Sequence, residues 1–145
     1  MRLSENFSLE ELTASETAAR KGIDNTPSEE VINNLKRLAA ALQEVRALLN
    51  HRAILVSSGY RSPELNQAVG GSATSDHCKG LAADFICPSY GTPNDIVRAI
   101  AASGLSFKQV IREFDRWVHL AIPEEGQEPR KQALIIDREG TRAYV

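Results

Sequence analysis

Three residues stand out for the chemistry they could do together: His77, Asp84 and His119. Asp84 lies inside the apolar run LAADFIC (81–87), between Ala83 and Phe85. A carboxylate there is costly to bury unless a cation or hydrogen-bond donors sit beside it. His119 interrupts a second apolar run, WVHLAI (117–122), where packing alone would favour a hydrophobe. Gly80 lies between His77 and Asp84 and lets the backbone turn back, so that both side chains can meet one ion. Two imidazoles and one carboxylate suit a zinc ion that keeps its fourth position open. Water at such a position can be deprotonated near neutral pH and attack a carbonyl. A plainer arrangement fits the same spacing: a buried aspartate satisfied by backbone donors, beside an unrelated core histidine.

The elements that must position these residues are readable from caps and periodicity. Ser8 with Glu11 three residues later marks a short helix. Thr26 reads as a cap, with Pro27 at the first helical position and Glu29 closing the box. Val31, Leu35, Leu38, Leu42, Val45 and Leu49 then follow on one helical face, which predicts the longest helix and one wall of the core. AILVSS (53–58) reads as a buried strand, and Ser62-Pro63 opens a short helix that Gly70-Gly71 ends. LAADFIC is a second strand, and Thr92-Pro93 starts a helix that runs to about Ala102 and stops at Gly104. QVIREF (109–114) and WVHLAI form a hairpin around Asp115-Arg116. KQALIID (131–137) and RAYV (142–145) form a final pair across REG (138–140), and residues 123–131 are a polar connection. Helices come first and strands later, which predicts an α+β fold rather than alternating βαβ units.

The bulk numbers narrow the field. A chain of 145 residues with 42% hydrophobic residues supports one domain, 1–145. A net charge of −2 leaves no basic surplus for nucleic acid. No apolar run is long enough to span a membrane, and the amino terminus lacks the apolar stretch of a signal peptide, so synthesis in the cytoplasm is expected. Cys78 and Cys87 make no disulfide framework and read as free thiols. Cys78 follows His77 directly, so a closed structural site of three ligands plus Cys78 is conceivable. Adjacent side chains in an extended segment point apart, which argues against it. His51, in the polar junction LNHRA, reads as a surface residue.

Several motifs occur together in order: Ser58-Gly59-Tyr60-Arg61, then Ser75 to Asp84 as S-x-H-x-x-G-x-A-x-D, then Trp117-Val118-His119. In this the chain resembles the M15 family of zinc D-Ala-D-Ala peptidases, and within it the small single-domain branch of phages and prophages. The resemblance extends to NFSLEELTASETAARKGIDNTPSEEVINNLKRL and so covers nearly the whole chain. It implies an antiparallel sheet with flanking helices, similar to Hedgehog and D,D-peptidase domains. It also implies Zn2+ held by His77, Asp84 and His119. Arg61 matches an arginine that engages the substrate, where a guanidinium can hold a carboxylate or stabilise an oxyanion. Ser75 matches a residue lining the site, which either donates to substrate or braces the turn before His77. Many members carry a general base three residues before the last histidine, where this chain has Arg116. The phage-like branch resembles E-F-x-x-W-V-H, which makes Glu113 the expected base and Asp115 the alternative.

What the resemblance implies is a zinc peptidase, a D,D- or L,D-peptidase that cuts an amide of the peptidoglycan stem peptide beside a D-amino acid, as a carboxypeptidase or as an endolysin. The rival is a metal-binding module of a phage or phage-like particle, structural or wall-binding, with impaired catalysis. Action at the cell wall after lysis, or as a virion component, is expected, with the peptidoglycan peptide as partner and the protein as a monomer. No nucleic acid and no membrane span enter this reading.

Overall fold

The structure is a computed structural model that describes residues 1–144. The amphipathic run forms the longest helix, Glu29–Leu48, which buries Leu35, Leu38, Ala39, Leu42 and Val45 along one stripe. Its cap differs from the expectation. Ser28, not Thr26, accepts the amide of Val31, and the Thr26 amide is taken by Asp24 Oδ1 at 2.9 Å. Pro27 therefore precedes the helix instead of opening it. Ahead of this helix lie four short elements: strands β1 (Arg2–Ser4) and β2 (Phe7–Ser8), then helices α1 (Leu9–Thr13) and α2 (Glu16–Lys21). Ser8 caps α1 as its sequence predicts. The β1–β2 hairpin and α2, which Ser15 caps and Gly22 ends at φ 64°, are additions to the expected set. The long helix is α3.

The remaining elements are β3 (Leu55–Ser58), α4 (Pro63–Ala68), a 3-10 turn (Asp76–Lys79), β4 (Ala82–Ile86), α5 (Pro93–Ala101), β5 (Gln109–Glu113), β6 (Trp117–Ala121), β7 (Gln132–Asp137) and β8 (Gly140–Ala143). Ser62 caps α4 and Thr92 caps α5, both as predicted, and Asp95 completes a full capping box on α5. The REG segment makes the β7–β8 turn, with Gly140 at φ 103°. Of RAYV, Val145 lies outside the described residues.

The α+β expectation holds. The main sheet has six strands in the order β3-β4-β6-β5-β7-β8. Its pairs are antiparallel except β5–β7, which is parallel, so the expected antiparallel sheet carries one parallel junction. The polar connection after β6 makes this possible, because it leads the chain back before β7 begins. Strand alternation gives the sheet two faces. On one, Ala83, Phe85, Val110, Val118 and Leu120 join the α3 and α5 side chains in a continuous core. A single row runs across the other: Ser58, Asp84, His119, Ile111, Leu134 and Ala143 are successive register partners. The segment expected to be a buried strand is instead the sheet edge, with Leu55 52% exposed, because no strand among the described residues pairs on its outer side.

Candidate metal centre

The row across the second face brings Asp84 and His119 side by side on β4 and β6. His77 reaches the same point from the 3-10 turn. The Ser75 hydroxyl accepts the His77 amide, and Gly80 closes the turn at φ 75°. This corrects the extended conformation expected for His77-Cys78. Asp76, held by Lys108 Nζ at 2.9 Å, ties the turn to the residue just before β5. Gly80 is doubly required: its φ is left-handed, and a Cβ would press on Val31.

His77 Nδ1 sits 2.7 Å from the Gly59 carbonyl. A carbonyl only accepts, so Nδ1 carries the proton and Nε2 presents its lone pair. That lone pair is buried and has no hydrogen-bond partner among the described residues, although Asp84 Oδ1 is 3.3 Å away. His119 Nδ1 lies 2.9 Å from the same oxygen. One ligand atom from each residue falls within 4.8 Å of the other two. A tetrahedral ion with ligands at about 2.1 Å spaces them about 3.4 Å apart. The set therefore fits a metal ion, and the Gly59 carbonyl provides the outer hydrogen bond that fixes a ligating imidazole. Burial works against the Asp84 charge, yet the imidazoles of His119 and His77 outweigh it and hold the carboxyl well below its ordinary range. Cys78 is not part of the cluster, which argues against the closed site, and Cys87 lies in the core.

A cleft of about 740 Å³ opens beside the cluster, lined by Ser58, Tyr60, Arg61, Asp84 and Trp117 on one side and by residues 14–17 on another. A bulge at Ser57 shifts the β3 register just before this lining. Gly59 follows, packed so tightly on the Leu12 carbonyl that no Cβ would fit. Arg61 points its Nη2 to within 3.9 Å of Asp84 Oδ2, and its Nη1 donates to Asn66 Oδ1 at 3.0 Å. Gly71 leaves room for that pair, since a Cβ there would meet both Asn66 and Arg61 Nη1. Asn25 bonds to Thr13, Tyr60 and Ser62 backbone groups and so fastens α1 to the Arg61 segment. Asn25, Asn66 and Gly71 were not anticipated. Only the turn composition around them hinted at a backbone role.

The remaining candidates separate clearly. Glu113 pairs with Trp117 in register, one pleat repeat beyond the Ile111–His119 pair, and so shares the metal face. Burial and the Asp84 charge raise its carboxyl above the ordinary range, against lowering by His119, His77 and Trp117. Asp115 turns away: its carboxylate meets Arg112 Nε at 2.9 Å, and Arg112 in turn donates to Asn94 on α5. Arg116 is exposed in the hairpin loop, and Ser75 is occupied in bracing His77. His51 is exposed at φ 59°.

An α+β sheet that brings a His-Asp-His cluster beside a cleft, with a carboxylate on the same face, supplies the ligands and the base that a metallopeptidase needs. A family profile described as Peptidase M15 matches residues 5–121. The chain belongs to the peptidase M15 family. No curated protein matches it.

Proposed function

We propose that the protein is a zinc-dependent peptidase that cuts an amide of the peptidoglycan stem peptide next to a D-amino acid. The observation that carries this is the convergence of His77, Asp84 and His119, with an orphaned His77 Nε2, beside a cleft that Asp84 and Arg61 line, with Glu113 on the same sheet face. A bound dication supplies Lewis acidity to polarise the scissile carbonyl and activate water. Glu113 accepts the proton of the attacking water and returns it to the leaving amine. Its raised affinity for a proton suits both halves of that exchange. Arg61 steadies the developing negative charge or a terminal carboxylate, and its Asn66 contact limits the positions it can take.

Asp115 does not serve in this scheme, because Arg112 holds it on the other side of the hairpin. The arginine at 116 costs nothing here, since that position is a solvent-facing loop residue rather than a site residue. The test is incubation of zinc-loaded protein with purified peptidoglycan, scored by new amino groups and by the fragments released. Turnover that vanishes on chelation and returns with zinc supports the reading. Full metal binding with no cleavage of any wall type would instead favour a non-catalytic wall-binding module.

A further inference from the structure

Among the described residues, two buried donors of the cleft lining lack an acceptor in good hydrogen-bond geometry: Arg61 Nε and Trp117 Nε1. Buried polar groups in native proteins are nearly always paired, so an unpaired one on a residue that lines a cleft is a reason to look for its ligand. Arg61 already has a part in the reading above; Trp117 does not. Trp117 opens β6, two residues before His119 and on the same face. Its register partner is Glu113, whose carboxyl the indole N–H helps to lower, although the pair does not reach good hydrogen-bond geometry.

The hairpin tip is arranged around this indole. Phe114 has a φ of 52°, a left-handed conformation that bulky residues seldom take. Its ring is 46% exposed and rests on Trp117, with centroids 6.4 Å apart. The Phe114 amide is pinned to the Ile136 carbonyl at 2.8 Å. Neither the strain nor the exposed ring helps the core. Together they back the indole and keep it against the cleft. Strain of this kind gathers at ligand clamps.

We propose that Trp117 is a substrate-binding residue whose indole N–H donates to a carbonyl oxygen of the peptide lying in the cleft. This rests on the peptidase reading above. The chain contains one tryptophan, so a nitrogen–proton correlation spectrum has a single indole cross-peak. The experiment titrates a soluble stem pentapeptide ending in D-Ala-D-Ala into zinc-loaded Glu113→Gln protein, which binds without cutting. The expected result is a downfield shift of the indole peak that saturates together with the amides of Tyr60 and Arg61. Trp117→Phe, which keeps a ring against Phe114, then weakens binding about two- to twelvefold, the worth of one neutral hydrogen bond. An indole peak that stays put while the cleft amides move overturns the proposal and leaves the peptidase reading standing. Unchanged affinity in Trp117→Phe with slower turnover in Glu113-intact protein also overturns it, because the N–H would then serve Glu113. No movement of any cleft amide removes the stem-peptide reading and this proposal with it. The spectrum of the unsubstituted indole decides the matter even if Trp117→Phe fails to fold.

Discussion

Glu113 and Asp115 are close in sequence, yet the hairpin turns them to opposite sides of the sheet. The pleat places Glu113 with Ile111 and His119, whereas the left-handed φ of 54° at Asp115 sends that carboxylate back to Arg112. Glu113→Gln keeps the shape and removes the proton acceptor, so kcat should fall by about 10²–10⁴-fold with metal content unchanged. Asp115→Asn should leave kcat near the parent value, and steady-state kinetics on the two variants distinguishes them. A pH profile adds a second check. Burial first, then the Asp84 charge, lifts the Glu113 carboxyl above the ordinary range. A bound dication opposes the Asp84 contribution, whereas burial persists. Because the base works only when ionised, turnover should decline as pH falls through the Glu113 titration, and the residual rate of Glu113→Gln should lack that acid limb. At this scale the sequence was informative. Asp84 and His119 betray themselves as polar residues in apolar runs, a pattern that survives without any knowledge of the fold. Asn25 and Asn66 do not: Asn25 acts through partners up to 37 residues away, Asn66 through Arg61 five residues back, and each looks like an ordinary turn residue.

Among the elements, α3 shows how a helix can be legible while its start is not. The apolar stripe fixes the buried face, but NTPSEE offers two hydroxyl caps two residues apart. The choice falls to Asp24, which takes the Thr26 amide and leaves Ser28 to close the helix. Ser28→Ala should cost about 0.5–2 kcal/mol in denaturant unfolding, and Thr26→Ala markedly less. The short elements were missed for a different reason. Strands of two or three residues carry no alternation to detect, and the 3-10 turn depends on the distant Lys108–Asp76 pair. Where α4 ends, Gly71→Ala should push Asn66 and Arg61 apart. The expected outcome is a loss of kcat/KM of about tenfold or more, with a melting temperature close to the parent's, because an ångström of misplacement at a positioning group costs up to about 10²-fold.

For the whole molecule, the α+β class followed from the order of patterns along the chain and the flanking helices from the family resemblance, while the parallel β5–β7 junction followed from neither. KQALIID reads as a strand from any viewpoint, and nothing local says which neighbour it will choose. That choice matters for what the molecule can lose. The three metal-facing residues sit on β4, β6 and the 3-10 turn, none of which pairs with β7. β5, which ends at Glu113, is bordered by β7 on its other side, and Ile136 anchors the residue after Glu113. The connection between β6 and β7 is exposed from Glu125 to Glu128. A protease that cuts there and a wash that strips the smaller piece should yield a protein that still retains its ion after dialysis but hydrolyses nothing. Ion capture and bond cleavage would thus come apart at one severed loop, giving a ready-made preparation in which the first can be measured without the second.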